Sequence, residues 1–152
     1  MRSARTGLVV ALAAALLAGG CALPRWPVAG VVTSPFGLRF RGWSPDLHPG
    51  VDIAARQGTP VRSLKRGRVR FAGWQGGYGN VIYVDHGSGT TSVYAHLAEI
   101  RVTRGQRVAL GEVIGTVGRT GNATGAHLHL EVWFDGRPQD PVPLLGGFPP
   151  LR

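Results

Sequence analysis

Two histidines separated by one residue, His127 and His129, are the first candidates for chemistry in this chain. The stretch Leu128–Trp133 alternates apolar and polar residues, a pattern typical of a β-strand. Residues i and i+2 of a strand face the same side, so both imidazoles can point into one cleft. One ring could then bind a metal ion while the other meets a substrate. Such pairs also occur on ordinary strands, so this spacing alone is a weak indication.

A second pair is formed by His48 and Asp52, which are separated by a Pro-Gly-Val tripeptide. The Pro-Gly sequence argues against a helix and favours a turn followed by an extended segment. Such a turn can bring an imidazole and a carboxylate around one ion, and both groups are good zinc ligands. The alternative is that His48 is a turn residue and Asp52 caps backbone groups.

Taken together, His48, Asp52 and His129 would supply two nitrogens and one carboxylate, leaving a fourth tetrahedral position for water. That donor set is typical of catalytic zinc sites. His96 and His127 then remain for proton transfer and charge stabilisation. The chain has one cysteine, which excludes a cysteine-rich structural zinc site, and it has no Gly-x-Ser-x-Gly sequence, which argues against a serine nucleophile.

Short strands joined by glycine-rich turns are predicted to position these side chains. The chain has 24 Gly and 11 Pro among 152 residues, and it lacks long helical periodicity. Six or more strands at this spacing predict an all-β fold, a compact and mostly antiparallel sandwich or barrel-like domain. The best strand candidates are Val69–Ala72, Val81–Asp85, Thr91–Ala95, Arg107–Leu110, Val113–Val117 and Leu128–Phe134.

The N-terminal segment has the three parts of a signal peptide. Arg2 and Arg5 make a positive region, Leu8–Leu17 is apolar, and residues 18–20 are small. The apolar run is too short to span a bilayer comfortably. We therefore expect residues 1–20 to be removed and the protein to be exported.

The single cysteine, Cys21, directly follows this segment and is predicted to be lipidated. The preceding Leu-Ala-Gly-Gly sequence resembles a bacterial lipobox, although Ala18 stands where leucine is usual. We expect a membrane-anchored lipoprotein on the periplasmic or cell-envelope side. Residue 22 is alanine and not aspartate, and by resemblance to the lipoproteins of double-membraned bacteria this favours the outer membrane. The alternative is an ordinary cleaved signal with an incidental cysteine.

Six short stretches between Val31 and Pro141 share a characteristic order and spacing. They are Thr33–Arg39, His48–Ala54, Gly76–Asn80, Asp85–Gly87, Tyr94–Leu97 and Thr124–Glu131. Together they resemble the lysostaphin-type, or LytM-like, zinc metallopeptidases that cut peptidoglycan cross-bridges and stem peptides, and their joint order and spacing make the resemblance specific.

The resemblance implies that His48, Asp52 and His129 bind one Zn²⁺ per chain and that His96 and His127 are catalytic. It also implies a zinc-dependent endopeptidase that hydrolyses peptide cross-links of peptidoglycan. Some relatives have lost the zinc ligands and act as non-catalytic, wall-binding activators of other murein hydrolases. Retention of all three ligands favours the enzyme.

Four further residues have weaker roles in this prediction. Tyr78, in a glycine-rich loop, is expected to contact the substrate or the oxyanion, or else to pack. Arg39 would bind a substrate carboxylate or brace the first loop. Glu131 shares a strand face with His129 and would support that ligand through its second ring nitrogen, or else form a cross-strand charge pair. His86 is predicted to be structural.

The formal charge of +9, with arginine supplying 16 of 17 basic residues, predicts attraction to an anionic polymer. Nucleic acid, acidic lipid and cell-wall glycopeptide all qualify. No recognition helix or aromatic RNA-binding motif occurs, so we expect no nucleic-acid partner. Peptidoglycan and a membrane, reached through the lipid anchor, are the expected partners. The sequence does not indicate an oligomeric state.

The predicted domain organisation has four parts in chain order. Residues 1–20 are the signal peptide and residues 21–30 a short connector. A LytM-like metallopeptidase domain occupies residues 31–144, and residues 145–152 form a proline-rich tail.

Overall fold

The computed structural model describes residues 23–151, which consist almost entirely of short antiparallel strands. The predicted signal peptide and Cys21 lie outside the described residues. The strands are β1 (Val31–Ser34), β2 (Gly37–Arg41), β3 (Ser44–His48), β4 (Val51–Ala54), β5 (Pro60–Arg62), β6 (Gly67–Gln75), β7 (Gly79–Gly87), β8 (Thr90–Ile100), β9 (Arg107–Val108), β10 (Val113–Val117), β11 (His127–Phe134) and β12 (Arg137–Gln139). A 3₁₀ turn (Gly76–Tyr78) and a short helix α1 (Pro141–Leu144) complete the fold.

Ten of these strands form one sheet, whose central path runs β1-β4-β11-β8-β7-β6-β9. Strand β10 pairs with both β5 and β8, and β12 pairs with β11, while β2 and β3 form a separate hairpin. The predicted all-β, mostly antiparallel fold is therefore confirmed. The six predicted strands correspond to β6–β11, although β9 ends at Val108. The chain turns there because the Glu112 carboxylate accepts a 2.7 Å hydrogen bond from the Ala109 N–H.

Alternation along β4 separates the core from the groove. Val51 and Ile53 are fully buried among core residues such as Tyr94 and Leu130, whereas Asp52 between them faces the opposite side. A strand has a side-chain period of two, so a one-residue slip would bury Asp52 and expose both apolar neighbours. Burial of Val51 and Ile53 therefore fixes the side on which Asp52 lies.

Strand β11 is covered on both faces. Leu128 and Leu130 join the main core, while His129 and Glu131 face a smaller cluster that includes Trp133. An alternating strand normally exposes its polar face to solvent, yet the side chains of His129 and Glu131 are both buried. Burial of polar groups is tolerated only when their hydrogen bonds are satisfied, so partners for both are required.

Strand β8 contains a bulge at His96. Against β7, the partners Ile82↔Tyr94 and Asn80↔Leu97 leave one extra residue on β8. His96 also has a φ of 60°, a left-handed conformation that is uncommon for residues other than glycine. Bulges and strained residues of this kind re-aim side chains and occur often at functional sites.

The first and last described segments lie side by side. The Trp26 indole N–H donates to the Gly147 carbonyl at 2.9 Å, and the Gly30 N–H donates to the Pro150 carbonyl at 3.1 Å. Within the described part of the chain, no helix is long and apolar enough to cross a membrane.

Gly50 allows the turn between β3 and β4 to approach β11 closely. A Cβ atom at Gly50 would lie 2.2 Å from the Leu130 carbonyl oxygen, a backbone atom that cannot move independently. Any larger residue must therefore push the turn, which lies between His48 and Asp52, away from β11.

We expect Gly50→Ala to lower the free energy of unfolding by about 1–3 kcal/mol through overpacking. Thermal and urea unfolding in the presence of a chelator measures this effect without any contribution from metal binding. Gly125→Ala is the matched control, because a Cβ there meets nothing within 4 Å. Equal stabilities of the two variants would contradict the close-approach explanation.

Candidate active site

Three potential metal ligands, His48, Asp52 and His129, meet at the base of a groove. Asp52 Oδ1 lies 2.8 Å from His129 Nδ1 and 3.2 Å from His48 Nε2, and the two ring nitrogens are 3.1 Å apart. The pairing of β4 with β11 creates this arrangement, because Asp52 and His129 are directly opposite each other in the register.

The other ring nitrogen of each histidine is occupied by an acceptor. His48 Nδ1 lies 2.8 Å from the Pro35 carbonyl, which can only accept, so Nδ1 carries the proton. His129 Nε2 lies 2.8 Å from Glu131 Oε1 and donates to that carboxylate. In the neutral rings, therefore, the lone pairs of His48 Nε2 and His129 Nδ1 face Asp52 Oδ1.

Three acceptor atoms this close repel one another unless a cation or a proton lies among them. Tetrahedral ligands at about 2.0–2.2 Å from one zinc ion are about 3.3–3.6 Å apart. The observed separations of 2.8–3.2 Å are close to that spacing. The donor set and its size therefore fit a single divalent ion with two nitrogen ligands and one oxygen ligand.

The electrostatics of the site also favour a cation. Burial alone raises the pKa of Asp52, but its hydrogen bonds with His129 and His48 outweigh burial and hold this pKa well below the usual range. Burial alone lowers the pKa of His129, and its bonds to Asp52 and Glu131 outweigh that effect and raise it. In the metal-free protein, a proton shared with His129 thus offsets part of the negative charge.

Glu131 is fully buried and is bonded by three donors. Besides His129, the Tyr78 hydroxyl donates to Oε1 at 2.5 Å and the Trp133 indole N–H donates to Oε2 at 2.6 Å. Burial raises the pKa of Glu131, yet these hydrogen bonds outweigh burial and lower it. The carboxylate stays ionised and holds the His129 ring in the orientation that directs Nδ1 toward Asp52.

His96 and His127 lie side by side on the groove wall, with ring centroids 4.7 Å apart. Each Nδ1 donates to a backbone carbonyl, that of Thr120 at 2.8 Å for His96 and that of Gly125 at 2.9 Å for His127. Both Nε2 atoms are therefore the ones left for a ligand, and that of His127 is 3.7 Å from Asp52 Oδ1. The pair can exchange protons with a molecule bound beside the three potential ligands.

The groove encloses about 580 Å³, and its other walls come from the β2–β3 hairpin, the 3₁₀ turn and the loop that precedes β11. Arg39 lines it and donates to Asp46 at 2.9 Å and to Ser34 at 3.0 Å, which braces the hairpin. Its guanidinium also lies 3.6 Å from Asp52. The ring of Tyr78 lines the groove, while its hydroxyl is bonded to Glu131.

The fifth histidine, His86, lies outside this groove. Its ring bonds to the Arg66 carbonyl at 2.8 Å and to the Ser92 hydroxyl at 2.7 Å. Burial lowers the pKa of His86. Both ring nitrogens are satisfied within the fold, which agrees with the structural role predicted for this residue.

Three residues that support the site, Thr120, Asn80 and Trp133, were not assigned this role from the sequence. Thr120 accepts from His96 through its carbonyl, and its hydroxyl donates to the Leu97 carbonyl at 2.8 Å. The Asn80 side chain donates to the Leu97 carbonyl at 3.1 Å, which further secures the bulge. Trp133 could have been found, because it lies two residues from Glu131 on the same strand face.

The fold and the groove together define an all-β domain with a His-Asp-His metal-binding geometry. The family model of Peptidase family M23 matches residues 46–141, more than half of the chain. The chain therefore belongs to Peptidase family M23, which confirms the family resemblance seen in the sequence.

Individual comparisons are consistent with this assignment. DD-carboxypeptidase/endopeptidase Mpg of Neisseria meningitidis is 46% identical over 115 residues, covering 73% of this chain and 26% of Mpg. Murein hydrolase activator EnvC of Escherichia coli is 35% identical over 135 residues, covering 84% of this chain and 31% of EnvC. A zinc containing peptidase from Vibrio cholerae has a TM-score of 0.72 and 33% identity, covering 84% of this chain and 40% of that one. The chain thus spans about a quarter of Mpg and a third of EnvC.

We expect Glu131→Gln to weaken zinc binding by about 10–100-fold, because a neutral amide orients His129 less firmly and makes its Nδ1 less basic. Competition with a chromophoric chelator measures the affinity without reference to activity. Glu99→Gln is the control, since Glu99 is exposed and bonded only to Arg101 among the described residues. An unchanged affinity in Glu131→Gln would show that the carboxylate does not act on the metal.

Proposed function

We propose that this protein is a zinc-dependent endopeptidase that hydrolyses peptide cross-links of peptidoglycan. One observation carries the proposal: three converging metal-ligand atoms share a groove with two imidazoles whose Nδ1 atoms are held by backbone carbonyls, which leaves both Nε2 atoms for a ligand. A purely structural metal site needs the three ligand atoms and not the adjacent pair of rings.

In this proposal the metal ligands are His48 Nε2, Asp52 and His129 Nδ1, with one ion per chain. Zinc is preferred because two imidazoles and one carboxylate form its usual catalytic donor set. When bound, zinc supplies a Lewis acid that polarises a carbonyl group and makes water more acidic. The Vibrio cholerae peptidase described as zinc containing supports the choice of metal.

The chemical steps assigned to the chain belong to His96 and His127. One Nε2 takes the proton from the attacking water as its oxygen bonds to the scissile carbonyl carbon. The two rings then stabilise the oxyanion of the tetrahedral intermediate and transfer a proton to the leaving amine as the C–N bond breaks. The carbonyls of Thr120 and Gly125 orient the rings for this role by holding each Nδ1–H.

The substrate assignment rests on the family and on the groove. Mpg is described as a DD-carboxypeptidase/endopeptidase, and EnvC as a murein hydrolase activator, so peptidoglycan is the common target. The open groove admits an extended peptide, with Tyr78 and Arg39 forming part of its walls. We propose both as substrate-binding residues, through the ring face of Tyr78 and through the Arg39 guanidinium, since both side chains line the groove.

We further propose that the chain is exported and that Cys21 is lipidated. The positively charged, apolar and small-residue segments of residues 1–20 support export. Export and anchoring would place the domain in the cell envelope, on the same side of the membrane as peptidoglycan.

The alternative is a non-catalytic activator, and the description of EnvC as a murein hydrolase activator supports this alternative. An activator would act on another wall hydrolase and would not itself hydrolyse peptidoglycan. The two functions differ in a measurable way, because only the enzyme releases muropeptides by itself.

Separate variants should divide metal binding from catalysis. We expect His48→Ala and Asp52→Asn to lose the bound zinc, whereas His96→Ala and His127→Ala keep one zinc and lose about 10²–10⁴-fold in rate. Zinc content by mass spectrometry and muropeptide release from purified sacculi are the two measurements. His86→Gln, which changes a histidine outside the groove, serves as the control.

Two results would contradict the enzyme assignment. A zinc-loaded wild-type chain that releases no muropeptides, but stimulates another wall hydrolase, would establish the activator instead. Release at the wild-type rate by both His96→Ala and His127→Ala would remove these residues from the mechanism.

The activity should also fall in acid at a characteristic pH. Burial lowers the pKa of His96 below its ordinary value of 6.5, against the opposing hydrogen bond to Thr120. A general base must be unprotonated, so activity is retained above this pKa and lost as the pH falls through it. We therefore expect the acid limb of kcat/KM to have its midpoint below pH 6.5, with zinc content measured in the same samples. A midpoint above 6.5 with zinc retained would exclude His96 as the group that sets the limb.

A further inference from the structure

Five basic residues cluster along one edge of the main sheet, and we call this surface the basic edge. Strand β9 is the last strand on the sheet path, and its Arg107 is the register partner of Arg68 on β6. Arg66, Arg68 and Arg107 line one shallow hollow beside His86. The basic edge consists of Lys65, Arg66, Arg68, Arg104 and Arg107.

The positive charge of the basic edge is not neutralised within the described residues. The ion pairs of residues 23–151 involve other arginines, and none joins a member of the basic edge to a carboxylate. Asp85 is the register partner of Arg68, but its carboxylate is bonded to Arg70 and to the Gly87 N–H. His86 cannot serve as a further ligand, since its ring is bonded within the fold. The five charges are therefore available to an anionic partner.

The start of the described chain lies next to the basic edge. The Arg25 N–H donates to the Leu64 carbonyl at 2.9 Å, and the Arg62 N–H donates to the Pro27 carbonyl at 2.9 Å. These bonds hold the first segment antiparallel to residues 62–64, so that going back along the chain from Arg25 leads toward Lys65. Leu23 is 82% exposed there. Cys21 is four residues from Arg25, a chain length that spans at most about 14 Å.

The groove lies at the other end of the sheet. A row of register partners crosses the sheet from Trp133 on β11 through Thr91 and Asp85 to Arg68 and Arg107. Four strand spacings of this row amount to about 19 Å, and His129 is a further 13 Å or about four residues along β11. A surface that contacts the basic edge therefore does not cover the groove.

We propose that the basic edge docks on a phospholipid surface with anionic headgroups, beside the lipid anchor at Cys21. The short segment between Cys21 and Arg25 keeps the domain at the membrane, and the charges determine which side of the domain faces it. Lipid phosphates suit this surface because arginine binds phosphate oxygens through two N–H groups at once. Docking in this orientation leaves the groove on the far side, open to the wall. The inference takes lipidation from the proposed function, but its test does not require it.

Vesicle binding by a non-lipidated chain tests the proposal. The chain is the mature form from residue 21, which contains every described residue, with Cys21→Ser to remove the anchor. Its partition onto phosphatidylglycerol–phosphatidylethanolamine vesicles is compared with that of a variant that also carries R66Q, R68Q and R107Q. Each basic residue near an anionic surface contributes about five-fold to binding, so the loss of three should weaken binding by about 100-fold.

A charge-matched variant separates the basic edge from the overall charge. R56Q, R119Q and R137Q remove the same number of charges at exposed sites outside the basic edge and the groove. We expect this variant to bind within a few-fold of the parent chain, and all three proteins to bind pure phosphatidylcholine weakly. Added salt should abolish the difference, because it screens surface charges.

Three results would overturn the proposal. The first is an equal loss of vesicle binding in the two triple variants. The second is vesicle binding by the basic-edge variant that equals that of the parent chain. The third is a basic-edge variant that loses binding to purified sacculi and keeps its binding to vesicles. The last result would assign the basic edge to the wall polymer. Thermal unfolding confirms that each variant is folded. Failure of the proposed enzymatic function would appear as missing zinc or missing hydrolysis in all three proteins, and it would leave the vesicle comparison unaffected.

Discussion

The alignment of β4 with β11 is the constraint on which the candidate site depends. It places Asp52 directly opposite His129, so a carboxylate and an imidazole from distant parts of the chain share one face of the sheet. The apolar residues of β4 that point the other way hold this alignment, because a slip of one residue would exchange core and groove. His48 joins them only because Gly50 lets its turn lie against the β11 backbone. Metal-binding geometry and core packing are thus two results of one strand pairing.

Around this centre, each polar group is oriented by a second contact. Glu131 holds His129, the Pro35 carbonyl holds His48, and two further carbonyls hold His96 and His127. Within residues 23–151, no buried side-chain nitrogen or oxygen lacks a hydrogen-bond partner. The contacts with these carbonyls and with Glu131 set which ring nitrogen of each histidine faces the groove, which reduces the reorganisation that binding and proton transfer require.

The structure also separates two surfaces with different chemistry. The groove concentrates imidazoles and a carboxylate at one end of the sheet, and the basic edge concentrates arginines at the other. In the proposed function this separation would let membrane attachment and substrate access use opposite sides of the domain. Part of the high arginine content is therefore concentrated on one surface, the basic edge.

Strand periodicity, short turns and the spacing of neighbouring residues can all be read from the amino-acid sequence. It indicated the all-β fold, the His-x-His pair, the His-x₃-Asp pair and the family, because these depend on strand periodicity and short turns. The extended segment predicted after Pro49 and Gly50 corresponds to β4. The short strands β1, β2, β3, β5 and β12 were not among the predicted strands, since segments of three to five residues carry little periodic signal. The register that joins Asp52 to His129, the left-handed backbone at His96 and the hydrogen bond from Tyr78 to Glu131 could be recognised only in the folded chain. These features arise from contacts between residues far apart in the chain, which no local pattern encodes.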